Sequence, residues 1–173
     1  MSEFVHRLQL DQIRDGDRID INANTGELAA IASRLRLLSL DRLDAHAVLS
    51  RDGERVKANG RLKASLSQAC VATGEPVAEH VDEAFALSFV PAPTADQELE
   101  LDAEQLDTIF HDGASIDLGT AIADTLALAV DPYPRSAKAD AALREAGVLS
   151  EEETGPFAAL AALKGKLSGE SSA

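Results

Sequence analysis

The chain of 173 residues has no tryptophan, one tyrosine and a single cysteine. One thiol, Cys70, rules out an internal disulfide. With four scattered histidines, His6, His46, His80 and His111, it does not supply the tight ligand pairs of a zinc site, and each histidine is expected on a surface or in a sheet. Asp15, Asp17 and Asp20 hint at a calcium loop, but Ile19 stands where a ligand belongs and no glutamate closes the loop. A phosphate-binding glycine loop, a dinucleotide fingerprint and a nucleophile elbow are all missing, and no His or Lys neighbours Cys70 in sequence to lower its pKa. A non-enzymatic role without metal or cofactor is therefore expected. Long hydrophobic runs are lacking too, so nothing in the sequence spans a bilayer. The opening MSEFVHRLQL has no apolar signal-peptide core, which points to the cytoplasm.

The most informative shortage is of positive charge. Between Val71 and Tyr133 there are 14 acidic residues and no Lys or Arg. Residues 1–70 hold 11 basic and 10 acidic side chains and residues 134–173 hold 5 and 6, so balances of +1, −14 and −1 make up the net charge of −14. An acidic stretch of this kind repels a phosphate backbone and suits a basic protein partner, while the N-terminal part is free to approach nucleic acid.

What is present is a run of alternating and helical patterns. Phe4 to Leu10 and Asp17 to Ile21 alternate as strands, and Thr25 reads as the N-cap of a helix ending near Leu37. Asp52-Gly53 is a favoured two-residue hairpin loop and sets Arg51 opposite Glu54. Leu49, Ala47, Ala45 and Leu43 then face Val56, Ala58, Gly60 and Leu62, and a one-residue slip would turn four cations inward. After a turn at CVATGEPV (Cys70 to Val77), Val81, Phe85, Leu87 and Phe89 alternate as a further strand that ends at Pro91 and Pro93. Residues 98–107 read as an acidic edge strand or loop, and Ile109 and Phe110 precede a turn at Asp112-Gly113. Asp117 is expected to cap a helix through Val130, with Leu118, Ile122, Leu126 and Ala129 on one face, Leu128 at its margin, and Pro132 and Pro134 as its stop. The expected fold is α+β, an antiparallel sheet or partly closed barrel with packed helices and a C-terminal helical tail. Its divisions are a core over 1–135, a flexible linker over 136–154, an amphipathic helix over 155–167 and a tail over 168–173. That last helix, with Pro156 at its first position and Phe157 on its apolar stripe, either folds back on the body or docks on a partner.

Two segments invite a binding role. Arg55, Lys57, Arg61 and Lys63 project from one side of a strand with Arg42 diagonal to them, forming either a phosphate-binding patch or a solvated sheet face. Five Phe and one Tyr, mostly needed for a core, leave few rings for base stacking, so recognition of backbone or shape is favoured. The second is a set of three motifs: CVATGEPV, with Cys70, Gly74, Glu75 and Pro76; SIDLGTAIADTLALAVDPYPR, with Asp117, Leu118, Gly119, Pro132 and Pro134; and GPFAALAALK, with Pro156 and Phe157.

In that order these motifs resemble the YceD family of large ribosomal RNA subunit accumulation proteins. Many members carry a second cysteine three residues after the first and more cysteines after the proline pair; Thr73 and Ser136 stand at those places here. The resemblance implies a role in accumulation or processing of 23S rRNA and in large-subunit assembly, with a 23S rRNA precursor or 50S assembly proteins as partners. It implies no catalytic residue. On the residues alone, Asp117 caps a helix packed on the hairpin sheet and Gly119 allows close approach there.

Overall fold

A computed structural model describes residues 4–93 and 108–148. The chain divides into two compact units: Met1–Ala69 with Pro76–Pro132, and Cys70–Glu75 with Tyr133–Ala173. The expected core over 1–135 is thus divided differently, the cysteine turn belonging with the C-terminal residues.

The larger unit is built on a five-stranded sheet. Its strands are β2 (Arg18–Asn22), β3 (Ser39–Asp52), β4 (Arg55–Ala69), β5 (Pro76–Pro91) and β6 (Thr108–His111), in spatial order β2-β3-β4-β5-β6. A separate two-stranded ladder joins β1 (Arg7–Gln9) to β7 (Ser115–Asp117). Helices α1 (Thr25–Leu35) and α2 (Leu118–Ala129) complete the unit, so the α+β class holds. The sheet is open, with β2 and β6 at its edges, and no barrel closes among the described residues. Nor is the sheet wholly antiparallel, because β6 runs parallel to β5. The intervening residues 92–107 are long enough to return the chain to the same end of the sheet, as a parallel neighbour requires.

Local chemistry sets each element. The N-cap of α1 is Asn24, not Thr25: Asn24 accepts from the Gly26 and Glu27 N–H groups while Glu27 accepts the Asn24 N–H at 2.8 Å. This reciprocal box satisfies donors that the first helical turn leaves orphaned. Arg36 then ends the helix in the left-handed conformation, φ 57°. The hairpin turns on Gly53 and Glu54, with Asp52 opposite Arg55. Only Gly53 has positive φ, 61°, so glycine takes the first loop position of a II′-like turn, where an I′ turn needs two positive values. Register therefore sits two residues from the expected one, with Leu49 opposite Ala58 and Ala47 opposite Gly60. An even shift preserves faces, and the four cations still point outward.

The inner face carries Leu43, Leu49, Val56, Leu62 and Phe89, all nearly fully buried beneath Ile31 of α1 and Leu118, Ile122 and Leu126 of α2. Small residues on the strands leave room for large ones. The Phe85 ring lies over Gly60, where an added Cβ would stand 2.8 Å from the ring edge and 1.9 Å from the His46 carbonyl oxygen. Leu128 departs from the expected margin and is 87 % exposed. His111 ties β6 to the hairpin loop, donating from Nε2 to the Glu54 carbonyl at 2.8 Å while Nδ1 accepts the Gly113 N–H.

In the smaller unit, α3 (Ala139–Glu145) forms inside the segment expected to be a flexible linker. Its sequence ADAALRE combines strong helix formers with Asp140 in the first turn and Arg144 in the last, which the polar composition of the stretch concealed. The expected edge segment 98–107, the helix 155–167 with Pro156 and Phe157, and the tail lie outside the described residues. Among the described residues, no helix is long and apolar enough to cross a membrane.

Candidate functional site

Because α1 and α2 cover one face of the sheet, strand alternation turns the opposite face to solvent. On β4 that face presents Arg55, Lys57, Asn59, Arg61 and Lys63, all exposed. Arg42 joins from β3 and Arg18 from β2, where it pairs opposite Val48. Asp20, Asp44, Asp52 and Asp82 share the surface, so six cations against four carboxylates leave it at +2 within a chain of −14. Arg18 was not among the expected residues, since only the β2–β3 pairing brings it to this face; its polar position in the Asp17–Ile21 alternation was the available signal.

The two-residue change in register matters here. Lys63 lies opposite Asp44, where the expected pairing set it beside Arg42, and Arg61 lies opposite His46. Asp82 on β5 accepts from Arg61 at 2.6 Å and lies 3.9 Å from Lys63, and Arg42 pairs with Asp44. These are exposed pairs, each contributing about 0–1 kcal/mol, so a polyanion can displace the carboxylates at little cost. Among the described residues, no ion pair engages Arg55 or Lys57. A shallow depression of about 450 Å³ lies between Arg42, His46, Arg61 and Lys63, with Asp20 and Asp44 at its side. Its lining holds no Phe, Tyr or Trp, and its one ring is the half-exposed His46 imidazole, 3.2 Å from Asp20. The arrangement can hold phosphates by charge and hydrogen bonding, with that imidazole as the single stacking surface in the depression.

The residues of the Ile-Asp-Leu-Gly motif form a structural joint. Asp117 accepts from Thr120 N–H and from His6 N–H, both at 3.1 Å, capping α2 and gripping the N-terminal segment with one carboxylate. Leu118 N–H donates to the His6 carbonyl at 3.0 Å. A Cβ on Gly119 would stand 2.6 Å from the Phe4 carbonyl oxygen and 2.7 Å from the His6 nitrogen. The close approach therefore exists, but against the N-terminal segment and not the hairpin sheet. Pro132 is exposed just beyond the helix.

Within the smaller unit the cysteine turn folds on residues 134–138. Cys70 is 3 % exposed; its N–H donates to the Glu75 carbonyl, and Gly74, at φ 72°, returns its N–H to the Cys70 carbonyl. Val71 N–H donates to the carbonyl of buried Pro134. The Ser136 N–H donates to Cys70 Sγ at 3.2 Å, and with help from the Thr73 hydroxyl it lowers the thiol pKa to about 6. This shift needs no His or Lys beside Cys70: the groups that cause it are chiefly a backbone N–H 66 residues away and the Thr73 hydroxyl. Lys138 Nζ lies 3.0 Å from Glu75 and holds that carboxyl below its ordinary range. Pro76, the last of the motif, opens β5 opposite Ala69.

The described residues form an open mixed sheet with helices on one face and a bare, net-cationic second face, and the first two sequence motifs lie in a turn and a joint. The family model described as large ribosomal RNA subunit accumulation protein YceD matches residues 58–164, and the chain belongs to that family. No curated protein and no solved structure matches it. The matched span contains all three motifs but only Arg61 and Lys63 of the outer cations. Thr73 and Ser136, at the places where the resemblance sets further cysteines, lie together beside Cys70, their hydroxyl oxygens 3.3 Å apart.

Proposed function

We propose that this chain is a non-enzymatic factor in large-subunit assembly that contacts precursor 23S rRNA through the outer face of its sheet. The family description supplies the ribosomal context. The observation that carries the contact is that Arg55 and Lys57, engaged by no ion pair among the described residues, are aligned on one strand with Arg61 and Lys63 in an otherwise acidic chain. At about 3.3 Å per residue, positions 55 to 63 span roughly 27 Å, enough to follow several successive phosphates. With no Phe, Tyr or Trp on the patch and His46 as its one ring in the depression, recognition runs mainly through backbone and shape.

Salt dependence tests it. If the four β4 cations each neutralise a phosphate, log Kd for a structured 23S fragment should change with log salt by a slope of magnitude about 3 to 4. Arg55→Gln with Lys57→Gln should halve that slope. Charge reversal of all four residues should abolish co-sedimentation with large-subunit precursors, and unchanged co-sedimentation would reject this surface.

A further inference from the structure

A second surface lies on the helix-covered side, where α2 runs beside β5 and the edge strand β6. Two adjoining depressions of about 430 and 520 Å³ share Ile109, Ala121 and Asp124 and form one groove along the helix. On α2, Leu118, Ile122 and Leu126 are buried in the core, and a neighbouring line of buried Ala121, half-buried Thr125 and exposed Leu128, at helical spacing, borders the groove. Its strand side offers Phe85, Leu87 and Ile109. Leu128 at 87 % and Phe110 at 47 % exposure stand at its lips, large apolar side chains left in water.

The charge on this groove is negative. Glu83, Asp112, Asp117 and Asp124 line it against Arg7, which makes −4 and +1, a net −3. Asp124 is bridged to Arg34 at 2.8 Å, Asp117 caps α2 and Asp112 accepts the Ala114 and Ser115 N–H groups, so among the described residues Glu83 is the least committed carboxylate. From these features we infer that the groove binds a basic amphipathic segment of a partner protein, aliphatic side chains on its floor and Lys or Arg against its rim. α2 has 12 residues, about 18 Å at 1.5 Å per residue, a length that matches three turns of a partner helix. The chain's own residues 94–107, which precede Thr108 in sequence, carry six acidic residues and no Lys or Arg, a charge that does not suit this rim. This surface lies apart from the cationic face and does not depend on it.

The test uses the full chain and two synthetic 16-residue helical peptides, one of Leu and Lys and one of Leu and Glu, titrated by fluorescence anisotropy. The Lys peptide should bind and the Glu peptide should not. The decisive variant is Leu128→Asp, whose exposed site leaves the fold intact by circular dichroism. It adds negative charge, so attraction by net charge alone would tighten Lys-peptide binding, whereas occupation of the groove would weaken it at least tenfold. Glu83→Lys should also weaken it, and Arg55→Glu with Lys57→Glu should not. Tighter or unchanged binding by Leu128→Asp overturns the inference. So does a photocrosslinker at position 128 that reacts only with residues of the same chain, whether 94–107 or the Lys164-bearing stretch 155–167.

Discussion

Gly119→Ala sets two effects of opposite sign against each other. Helix propensity alone says that alanine inside α2 should stabilise the chain by about 0.5–1 kcal/mol. The packing says the reverse. The new Cβ would stand 2.6 Å from the Phe4 carbonyl oxygen and 2.7 Å from the His6 nitrogen, both backbone atoms that no rotamer change can move aside. Relief requires the N-terminal segment to retreat, which lengthens the His6–Asp117 and Leu118–His6 hydrogen bonds, 3.1 and 3.0 Å in the intact protein. Overpacking costs about 1–3 kcal/mol and each weakened hydrogen bond about 0.5–1.5 kcal/mol. After the propensity gain, a net loss of about 1–5 kcal/mol is expected, and Tm should fall by roughly 2–20 °C for a chain of this size. Urea titration and thermal melts followed by circular dichroism measure both quantities. Ala127→Gly, on the exposed side of the same helix, calibrates the propensity effect at about 1 kcal/mol. A Gly119→Ala protein as stable as the parent would refute the account of the motif as a joint.

Gly60→Ala should be costlier still, about 3 kcal/mol or more, because its Cβ would meet the His46 carbonyl oxygen at 1.9 Å in the middle of the β3–β4 ladder. Gly53→Ala, where nothing lies within 4 Å but φ is 61°, should cost only about 1–2 kcal/mol in the same melts. Cys70 should titrate near pH 6, read from thiolate ultraviolet absorbance, and removing the second hydrogen bond with Thr73→Val should raise that midpoint. Since the folded pKa lies below the ordinary 9.0, the unfolded chain binds the extra proton between those values. The thiolate's contribution to stability therefore grows as pH rises from about 6 to 9 and is lost as pH falls through 6; a midpoint near 9 would contradict the Ser136 contact.

Much of the fold could be read from local chemistry. Asp117 as a cap and the buried stripe Leu118, Ile122 and Leu126 follow from spacing within one helix, and the structure bears them out. The hairpin faces follow from alternation, which is why a register error of two residues left every side chain on its proper side. The error itself arose because Asp-Gly and Gly-Glu loops are both permitted at that turn, and neighbouring contacts decide between them. The parallel placement of β6 and the helix α3 were not legible, one depending on a distant strand pairing and the other on a short helix without a side-chain cap.

The candidate site was legible only as a stripe. Arg55, Lys57, Arg61 and Lys63 on one side of one strand are a property of the sequence, as are the acidic stretch and the three motifs that place the chain in its family. Which carboxylates lie among those cations, that Arg18 joins them, that Gly119 meets residues 4 and 6, and that Ser136 reaches Cys70 were decided by tertiary structure alone. The reason is range. Alternation, caps and turns act over a few residues and are written in consecutive letters, whereas ion pairs, close backbone approaches and pKa shifts act over a few ångströms between groups that the chain separates by tens of residues.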